Sequence, residues 1–155
     1  MNTRYIVAAI IQKGDQIIIG KKPKGQPPYP DVWQIPGGGV EDKQKAIELI
    51  SVELYDDIYF HNELKREVRE ELGIEIANIH CIVPQYRSKP REGETKNKHG
   101  ELTHYVFLEY LCDYVNGKIK AADDLAEAKW IAKSELKNIS VTPPSAEMYR
   151  ELGWI

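Results

Sequence analysis

Residues 66–74 read REVREELGI and close a segment whose apolar residues follow a helical spacing. Leu64, Val68 and Leu72 lie at i, i+4 and i+8, which predicts one apolar stripe along a helix. Gly73 follows directly, and glycine is the residue at which helices commonly end because it adopts the left-handed conformation without strain. The stretch therefore predicts the last turns of a helix that packs on a core.

A second face of the same helix is acidic. Glu67, Glu70 and Glu71 are spaced i, i+3 and i+4, so their carboxylates are expected to converge. Like charges at these spacings, near a helix C-terminus, are unfavourable. A divalent cation would offset both effects, and carboxylate oxygens suit Mg²⁺ or Mn²⁺. The alternative is a solvated face on which Arg66 and Arg69 neutralise the acids, and the helix alone leaves both interpretations open.

A glycine-rich segment, PGGGV at 36–40, follows the strand-like run VWQI at 32–35. Consecutive glycines predict a turn in which the backbone approaches a ligand closely, because no side chains intervene. A glycine triplet alone is typical of many turns, so it becomes informative only together with the acidic helix.

Together the two segments resemble the Nudix hydrolase family, whose box runs G-x5-E-x7-R-E-U-x-E-E-x-G-U, with U a bulky aliphatic residue. The second half of the box is matched by Arg66, Glu67, Val68, Glu70, Glu71, Gly73 and Ile74. The family's lead-in W-x-x-P-G-G is matched by Trp33, Pro36, Gly37 and Gly38. The run DLAEAKWI at 124–131, followed by SEL, is similar to the family's late strand and helix, so the resemblance extends over most of the chain.

The first half of the box departs from the family pattern. Arg66 follows Gly38 by 28 positions, whereas the box separates them by fourteen, which indicates an insertion of about 14 residues within 42–59. Counting from either end places Ile58 or Gln44 where the family has its first glutamate. The acids that could replace it are Glu41, Glu48, Asp56 and Asp57.

The inserted segment around 42–59 is predicted to form an extra helix with an apolar face of Ile47, Ile50 and Leu54. Such a helix packs on the domain, covers the site or forms a contact in a homodimer. The residues leave these three roles open.

The resemblance implies an α/β (α+β) fold, a Nudix-type αβα sandwich with a mixed β-sheet between helices, in a single domain spanning 1–155. In the first half of the chain, local patterns predict a hairpin turning at KGD (13–15), a loop at 22–31 and helix over 42–72 with a break near 55–57. A strand at 74–87, a polar loop or hairpin tip at 88–101 and a long strand ending at Asn116-Gly117 are predicted next. The chain is predicted to close with a short helix near 134–136 and a last helix capped by Thr142 or Ser145.

The resemblance also implies an activity, the Mg²⁺-dependent hydrolysis of a pyrophosphate bond in a nucleoside diphosphate derivative by metal-activated water. Glu70 and Glu71 are then metal ligands together with a backbone carbonyl of Gly37 or Gly38, and Glu67 is a further ligand or part of the machinery of the general base. Arg66 orients Glu67 through a charge-assisted hydrogen bond.

The general base is predicted outside the box. Asp124 lies six positions before Trp130, which is the spacing of such an acid in some family members, and it ranks first. Its rivals are Glu92, Glu94, Glu101 and Glu127.

Residues that could hold the nucleotide are cationic or aromatic. Lys22 and Arg87 are predicted to meet phosphates, and Trp33 is predicted to stack on a base; Lys89, Arg91, Tyr29, Tyr86 and Phe107 are further candidates.

Two other functions are compatible with the same fold. One is a catalytically weak nucleotide-binding or regulatory module, favoured by the missing box glutamate and by the long insertion. The intact acids of the helix favour the enzyme instead. The other is an isoprenoid diphosphate isomerase, which needs a catalytic cysteine; Cys81 and Cys112 lie on predicted strands and are expected to be buried and free.

The composition argues against nucleic acid and membrane as partners. The net charge is −3, and the longest apolar run, YIVAAII at 5–11, is too short to span a bilayer. A cytoplasmic protein with a small nucleotide substrate is therefore expected.

Overall fold

A computed structural model describes residues 2–155. Its strands are β1 (Asn2–Lys13), β2 (Gln16–Lys21), β3 (Gly37–Gly39), β4 (Glu75–Cys81), β5 (Arg91–Lys96), β6 (Leu102–Asn116) and β7 (Glu127–Ala132). Its helices are α1 (Lys43–Ser51), α2 (Ile58–Leu72), α3 (Val83–Tyr86), a 3₁₀ helix (Lys133–Asn138) and α4 (Pro143–Glu151).

These strands form one mixed sheet. The order is β4-β6-β1-β2-β7, with β3 paired to β1 and β5 paired to β6. β1 and β6 run parallel, and the other pairs are antiparallel. The KGD hairpin between β1 and β2 is confirmed.

Both faces of the sheet are covered, which explains why β1 is apolar at consecutive positions. Val7, Ala9 and Ile11 face α2 in one core cluster, and Ala8 and Ile10 belong to a second cluster. The second cluster includes Met148 and Tyr149 of α4. The predicted αβα sandwich with a mixed sheet is confirmed.

Helix α2 forms where the apolar stripe predicted it. Leu64, Val68 and Leu72 are fully buried. The Asp57 carboxylate accepts a hydrogen bond from Tyr59 N at the start of the helix, and Gly73 ends it with φ of 69°. The predicted break near 55–57 is also confirmed, since α1 ends at Ser51.

The predicted apolar face of α1 is right for Ile50, which packs against the core, and wrong for Ile47 and Leu54. The helix buries Ala46 and Leu49, whereas Ile47 is 39% exposed and Leu54 is 51% exposed. The helix ends before Leu54, so this residue does not continue a helical stripe. The segment's predicted roles as an insertion and as a homodimer contact stay predictions.

Three local predictions are corrected. The glycine triplet is strand β3 rather than a turn. The strand predicted over 74–87 ends at Cys81 and is followed by α3, whose Pro84 cannot donate a hydrogen bond to a sheet. Residues 88–101, predicted as a polar loop or a hairpin tip, include a strand as well as the tip: residues 91–96 form β5, which pairs with β6, and the turn lies at 97–101.

The two cysteines are free and buried, and burial raises the pKa of both thiols to about 12. Neither thiol is activated as a nucleophile. Within residues 2–155, no helix is long and apolar enough to cross a membrane.

Candidate active site

The acidic face of α2 lies directly against the glycine strand β3. Gly37 N donates a hydrogen bond of 2.9 Å to Glu71 Oε1. A Cβ atom on Gly38 would lie 2.2 Å from Glu67 Oε2. The absence of a side chain at Gly38 therefore creates the space that the Glu67 carboxylate occupies.

The same strand makes room for a cation on its other side. A Cβ atom on Gly39 would lie 2.2 Å from Arg4 Nη2. Adjacent glycines thus allow a carboxylate and a guanidinium group to approach β3. Arg4 was not among the predicted site residues, because an arginine in a β-strand has no local sequence signal for this role.

Arg66 is the centre of an ion-pair network on α2. Its Nη1 lies 3.1 Å from Glu67 Oε1 and 3.1 Å from Glu70 Oε2. Its Nε lies 2.8 Å from Glu63 Oε2. The contact with Glu67 has the geometry expected of a group that orients this carboxylate.

Glu63 is an acid in contact with Arg66 that the match to the Nudix box does not predict. It is buried and accepts hydrogen bonds from Glu41 N and Tyr59 as well as from Arg66. Burial raises its pKa, but these hydrogen bonds outweigh burial and the net pKa is lowered. The i, i+3 spacing of Glu63 and Arg66 was a usable signal.

Four acids were candidates from the sequence to replace the first box glutamate. One of them contacts Arg66 at a long distance, and the other three have different partners. Glu41 Oε1 is 3.7 Å from Arg66 Nε. Glu48 bonds to Gln44, Asp56 pairs with His61 and accepts from Cys81 N, and Asp57 caps α2.

Burial makes the charged state of the acids unfavourable in the absence of a cation. Glu71 is 2% exposed, and burial, together with the neighbouring Glu67 carboxylate, raises its pKa to about 9. Burial also raises the pKa of Glu67, against the effect of Arg66. A bound cation would reverse both shifts.

The residues fit a hard divalent cation by their chemistry. The donor set is all oxygen, and the missing Cβ of Gly38 brings the backbone of β3 to the Glu67 carboxylate. Within residues 2–155, no group of three His, Cys, Asp or Glu side chains is already arranged to hold a metal. Glu67 and Glu70 both contact Arg66 Nη1, and the Glu70 side chain is 46% exposed.

A loop after β6 brings two further acids to this region. Ala122 N donates to Glu71 O at 2.9 Å, and Lys120 N donates to Leu72 O at 3.1 Å. These bonds hold the loop against the end of α2. Asp123 and Asp124 are among the charges that raise the pKa of Glu71, and Asp123 had no sequence signal of its own.

A cavity of about 460 Å³ opens beside β3 on the face of the sheet that carries α4. Gly37 and Gly38 form part of its wall, and Arg4, Lys22 and Asp124 line it as well. Lys22 Nζ donates a hydrogen bond of 2.8 Å to Pro28 O. Glu67, Glu70 and Glu71 do not line the cavity; Gly37 and Gly38 of its wall contact Glu71 and Glu67, so the cations and the acids meet at β3. Such an arrangement suits a phosphate chain with bound metal.

Two residues predicted to bind substrate do not line this cavity. Trp33 pairs with Val141 and lies under the ammonium groups of Lys21 and Lys129. Arg87 lies 3.7 Å from Glu151. Tertiary packing gives each residue a partner outside the cavity, and contact of either one with substrate stays a prediction.

The other acids considered as general base are distributed over the surface. Glu92 and Glu94 face His104 on the sheet, and Glu127 begins β7. Glu101 lines the cavity. Asp124 also lines it and pairs with Lys98 Nζ at 3.4 Å.

Comparisons with known proteins agree with this geometry. The family model of the NUDIX domain matches residues 64–152, which is more than half of the chain. The nucleoside triphosphatase NudI of Klebsiella pneumoniae (strain 342) is 25% identical over 138 residues, covering 89% of this chain and 88% of the relative.

Solved structures share the fold. A MutT NUDIX hydrolase from Burkholderia pseudomallei has a TM-score of 0.68 at 19% identity, covering 98% of this chain and 99% of that one. The NUDIX domain of Shewanella oneidensis NrtR, solved in complex with ADP ribose, has a TM-score of 0.66 at 10% identity, covering 99% and 88%. The chain therefore belongs to the Nudix family and is a pyrophosphohydrolase, an enzyme that hydrolyses phosphoric anhydrides.

Proposed function

We propose that this protein hydrolyses a pyrophosphate bond of a nucleoside triphosphate or a related nucleoside diphosphate derivative, using Mg²⁺, which Mn²⁺ can replace. The observation that carries the proposal is the contact between the α2 acids and the glycine strand at the wall of a cavity lined by Arg4 and Lys22. The description of the Klebsiella relative as a nucleoside triphosphatase supports this substrate class.

Nudix hydrolases generally use divalent metal ions. In this chain, Glu67, Glu70, Glu71 and a carbonyl of Gly37 or Gly38 would hold the ion. When bound, the ion supplies charge neutralisation on the phosphate oxygens and lowers the pKa of water.

The remaining site residues position groups or move protons. Arg66 holds the Glu67 carboxylate in place at 3.1 Å. Asp124 is the proposed general base, because it lines the cavity and lies beside Glu71. Asp123, its neighbour, is the alternative that the structure adds.

Arg4 and Lys22 are proposed to bind the phosphate chain. Among residues 2–155, neither forms an ion pair with a carboxylate, so both charges are available to a ligand. Guanidinium and ammonium groups are the usual protein partners of phosphate.

The alternative function, a binding module without catalysis, is favoured by the missing box glutamate and by the long insertion. The hydrogen bond between Glu63 and Arg66 supplies an acid at the arginine, which weakens the first of these arguments. Metal-dependent hydrolysis therefore remains the better supported function.

Turnover of a substrate panel tests the proposal. We expect Mg²⁺-dependent hydrolysis of at least one (d)NTP, with loss of activity in EDTA and recovery when Mg²⁺ or Mn²⁺ is added back. Parallel assays with ADP-ribose, nucleotide sugars and dinucleoside polyphosphates identify which group is joined to the nucleoside diphosphate in the substrate. Tight binding of nucleotides without any turnover would contradict the proposal and favour the binding module.

The pH dependence of substrate capture is expected to report Lys22. Burial lowers the pKa of Lys22 to about 8, so its ammonium group loses its proton above that pH. Because only the charged form attracts phosphate, kcat/KM should fall above about pH 8 in the free enzyme. Lys22→Arg keeps its charge throughout and should remove this fall. An identical decline in both proteins would show that another group titrates.

A further inference from the structure

The tip of the β5–β6 hairpin holds a buried asparagine in a fixed orientation. Asn97 is 8% exposed and lines the cavity. Its Oδ1 accepts hydrogen bonds from His99 N at 2.9 Å and from Glu101 N at 3.0 Å. Its backbone N donates to Glu101 O, and its backbone O accepts from Gly100 N.

These bonds determine which end of the amide is free. Backbone N–H groups must be accepted by an oxygen, so the amide cannot flip without losing two hydrogen bonds. Within residues 2–155, Nδ2 donates to no protein atom. Because Nδ2 has no protein partner and is not among the fully buried polar atoms, its N–H groups are open to a ligand at the cavity wall that Asn97 lines.

The wall around this amide is suited to a flat, partly apolar group. Phe107 and Tyr105 stack with ring centroids 6.0 Å apart, and both line the cavity with Ile6 and Pro144. Apolar and aromatic walls with a small number of oriented polar groups are typical of sites that bind nucleobases and similar ligands. The phosphate-binding cations Arg4 and Lys22 line the same cavity.

We propose that Asn97 Nδ2 donates a hydrogen bond to a carbonyl oxygen of the nucleobase, so that the enzyme prefers bases with a carbonyl group, such as guanine and uracil, over adenine. The inference rests on the proposed function. Adenine is commonly read by an asparagine that donates through Nδ2 and accepts through Oδ1 together. Here Oδ1 is already occupied by two backbone N–H groups, so this two-point contact with adenine is lost. The free donor then meets a single acceptor, which is a carbonyl oxygen in guanine and uracil but only a ring nitrogen in adenine.

Asn97→Asp separates the role of the amide in the base site from its role in the turn. A carboxylate still accepts from His99 N and Glu101 N, so the turn is retained, but it presents an acceptor where the native protein presents a donor. Binding is measured by calorimetry with the α,β-methylene triphosphates of guanosine, uridine and adenosine and with inorganic tripolyphosphate as a ligand without a base. Thermal unfolding of both proteins verifies the fold.

The native protein should bind the guanosine and uridine ligands more tightly than the adenosine ligand. Asn97→Asp should weaken the first two by about 10- to 100-fold, narrowing or reversing the preference, with tripolyphosphate affinity changed by less than about threefold. Equal losses for all four ligands, an unchanged order of affinities, or no binding of any nucleotide by the native protein would overturn the inference. Binding is measured without turnover, so the role of Asn97 is tested separately from the proposed hydrolysis. A protein that binds these nucleotides without cleaving them would contradict the hydrolysis and leave the base preference to be read from the affinities.

Discussion

Replacing Gly38 by alanine is expected to lower kcat by about 100-fold or more while leaving the protein folded, since a catalytic group displaced by about 1 Å commonly costs this much. The new Cβ would lie 2.2 Å from Glu67 Oε2, which is impossible without movement. The carboxylate is the mobile end of a side chain, so it will move, whereas β3 keeps its pairing with β1. Gly38 is not in the left-handed region, so alanine suits its backbone.

The matched control is Gly93→Ala, also a glycine in a strand. A Cβ at Gly93 meets no atom within 4 Å, so activity and stability should stay near native.

A double-mutant cycle with Glu67→Gln tests whether Gly38 acts through the Glu67 carboxylate. If Gly38 acts through the Glu67 carboxylate, adding Gly38→Ala to Glu67→Gln should cause little further loss of kcat. Additive losses, or a native rate in Gly38→Ala, would contradict the assigned contact.

Replacing Arg91 by methionine is expected to lower the free energy of unfolding by about 3–5 kcal/mol, because removing one member of a buried ion pair leaves its partner charged and unpaired. Arg91 is 4% exposed and joins β5 to Glu109 of β6 and to Glu147 and Glu151 of α4. Glu109 is itself buried, and burial already raises its pKa. Methionine fills similar space without a charge, so the loss comes from the electrostatics.

Urea unfolding at two pH values measures this effect. Without Arg91, the folded-state pKa of Glu109 rises further above its unfolded value, so the penalty grows as the pH increases from about 5 to 8. Arg87→Met is the control, because Arg87 meets the same Glu151 at 3.7 Å from a more exposed position. Its loss should stay below about 1 kcal/mol. Equal losses in the two variants would show that the network contributes nothing beyond a surface pair.

The catalytic helix was predictable because its signals are local. The apolar spacing of Leu64, Val68 and Leu72, the glycine that ends the helix and the acids of one face all lie within about two and a half turns. The spacing of apolar residues depends only on the helical repeat, so it predicts which residues of the helix are buried without knowledge of the rest of the fold. The layered fold came with the family resemblance carried by the same residues.

Errors arose where a residue's environment comes from distant parts of the chain. Residue type alone gives Trp33 and Arg87 no neighbours, whereas the fold brings residues of β2, β7 and α4 into contact with them. Counting along the box does not find Glu63, because its contact with Arg66 follows from the i, i+3 geometry of the helix. Consecutive glycines predict a turn, but residues 37–39 form a strand, since a strand without side chains has no pattern of its own.

The amino-acid order alone specifies the apolar stripe of helix α2, the glycine that ends it, its acidic face and the apolar run of β1. These features depend on interactions between residues a few positions apart, or on the burial of one apolar face, which can pack against any complementary apolar surface. The tertiary structure decides which acid meets Arg66, which side chains occupy the spaces beside Gly38 and Gly39, and which end of the Asn97 amide is free. Such contacts depend on distances between elements set by packing, and no local pattern encodes those distances.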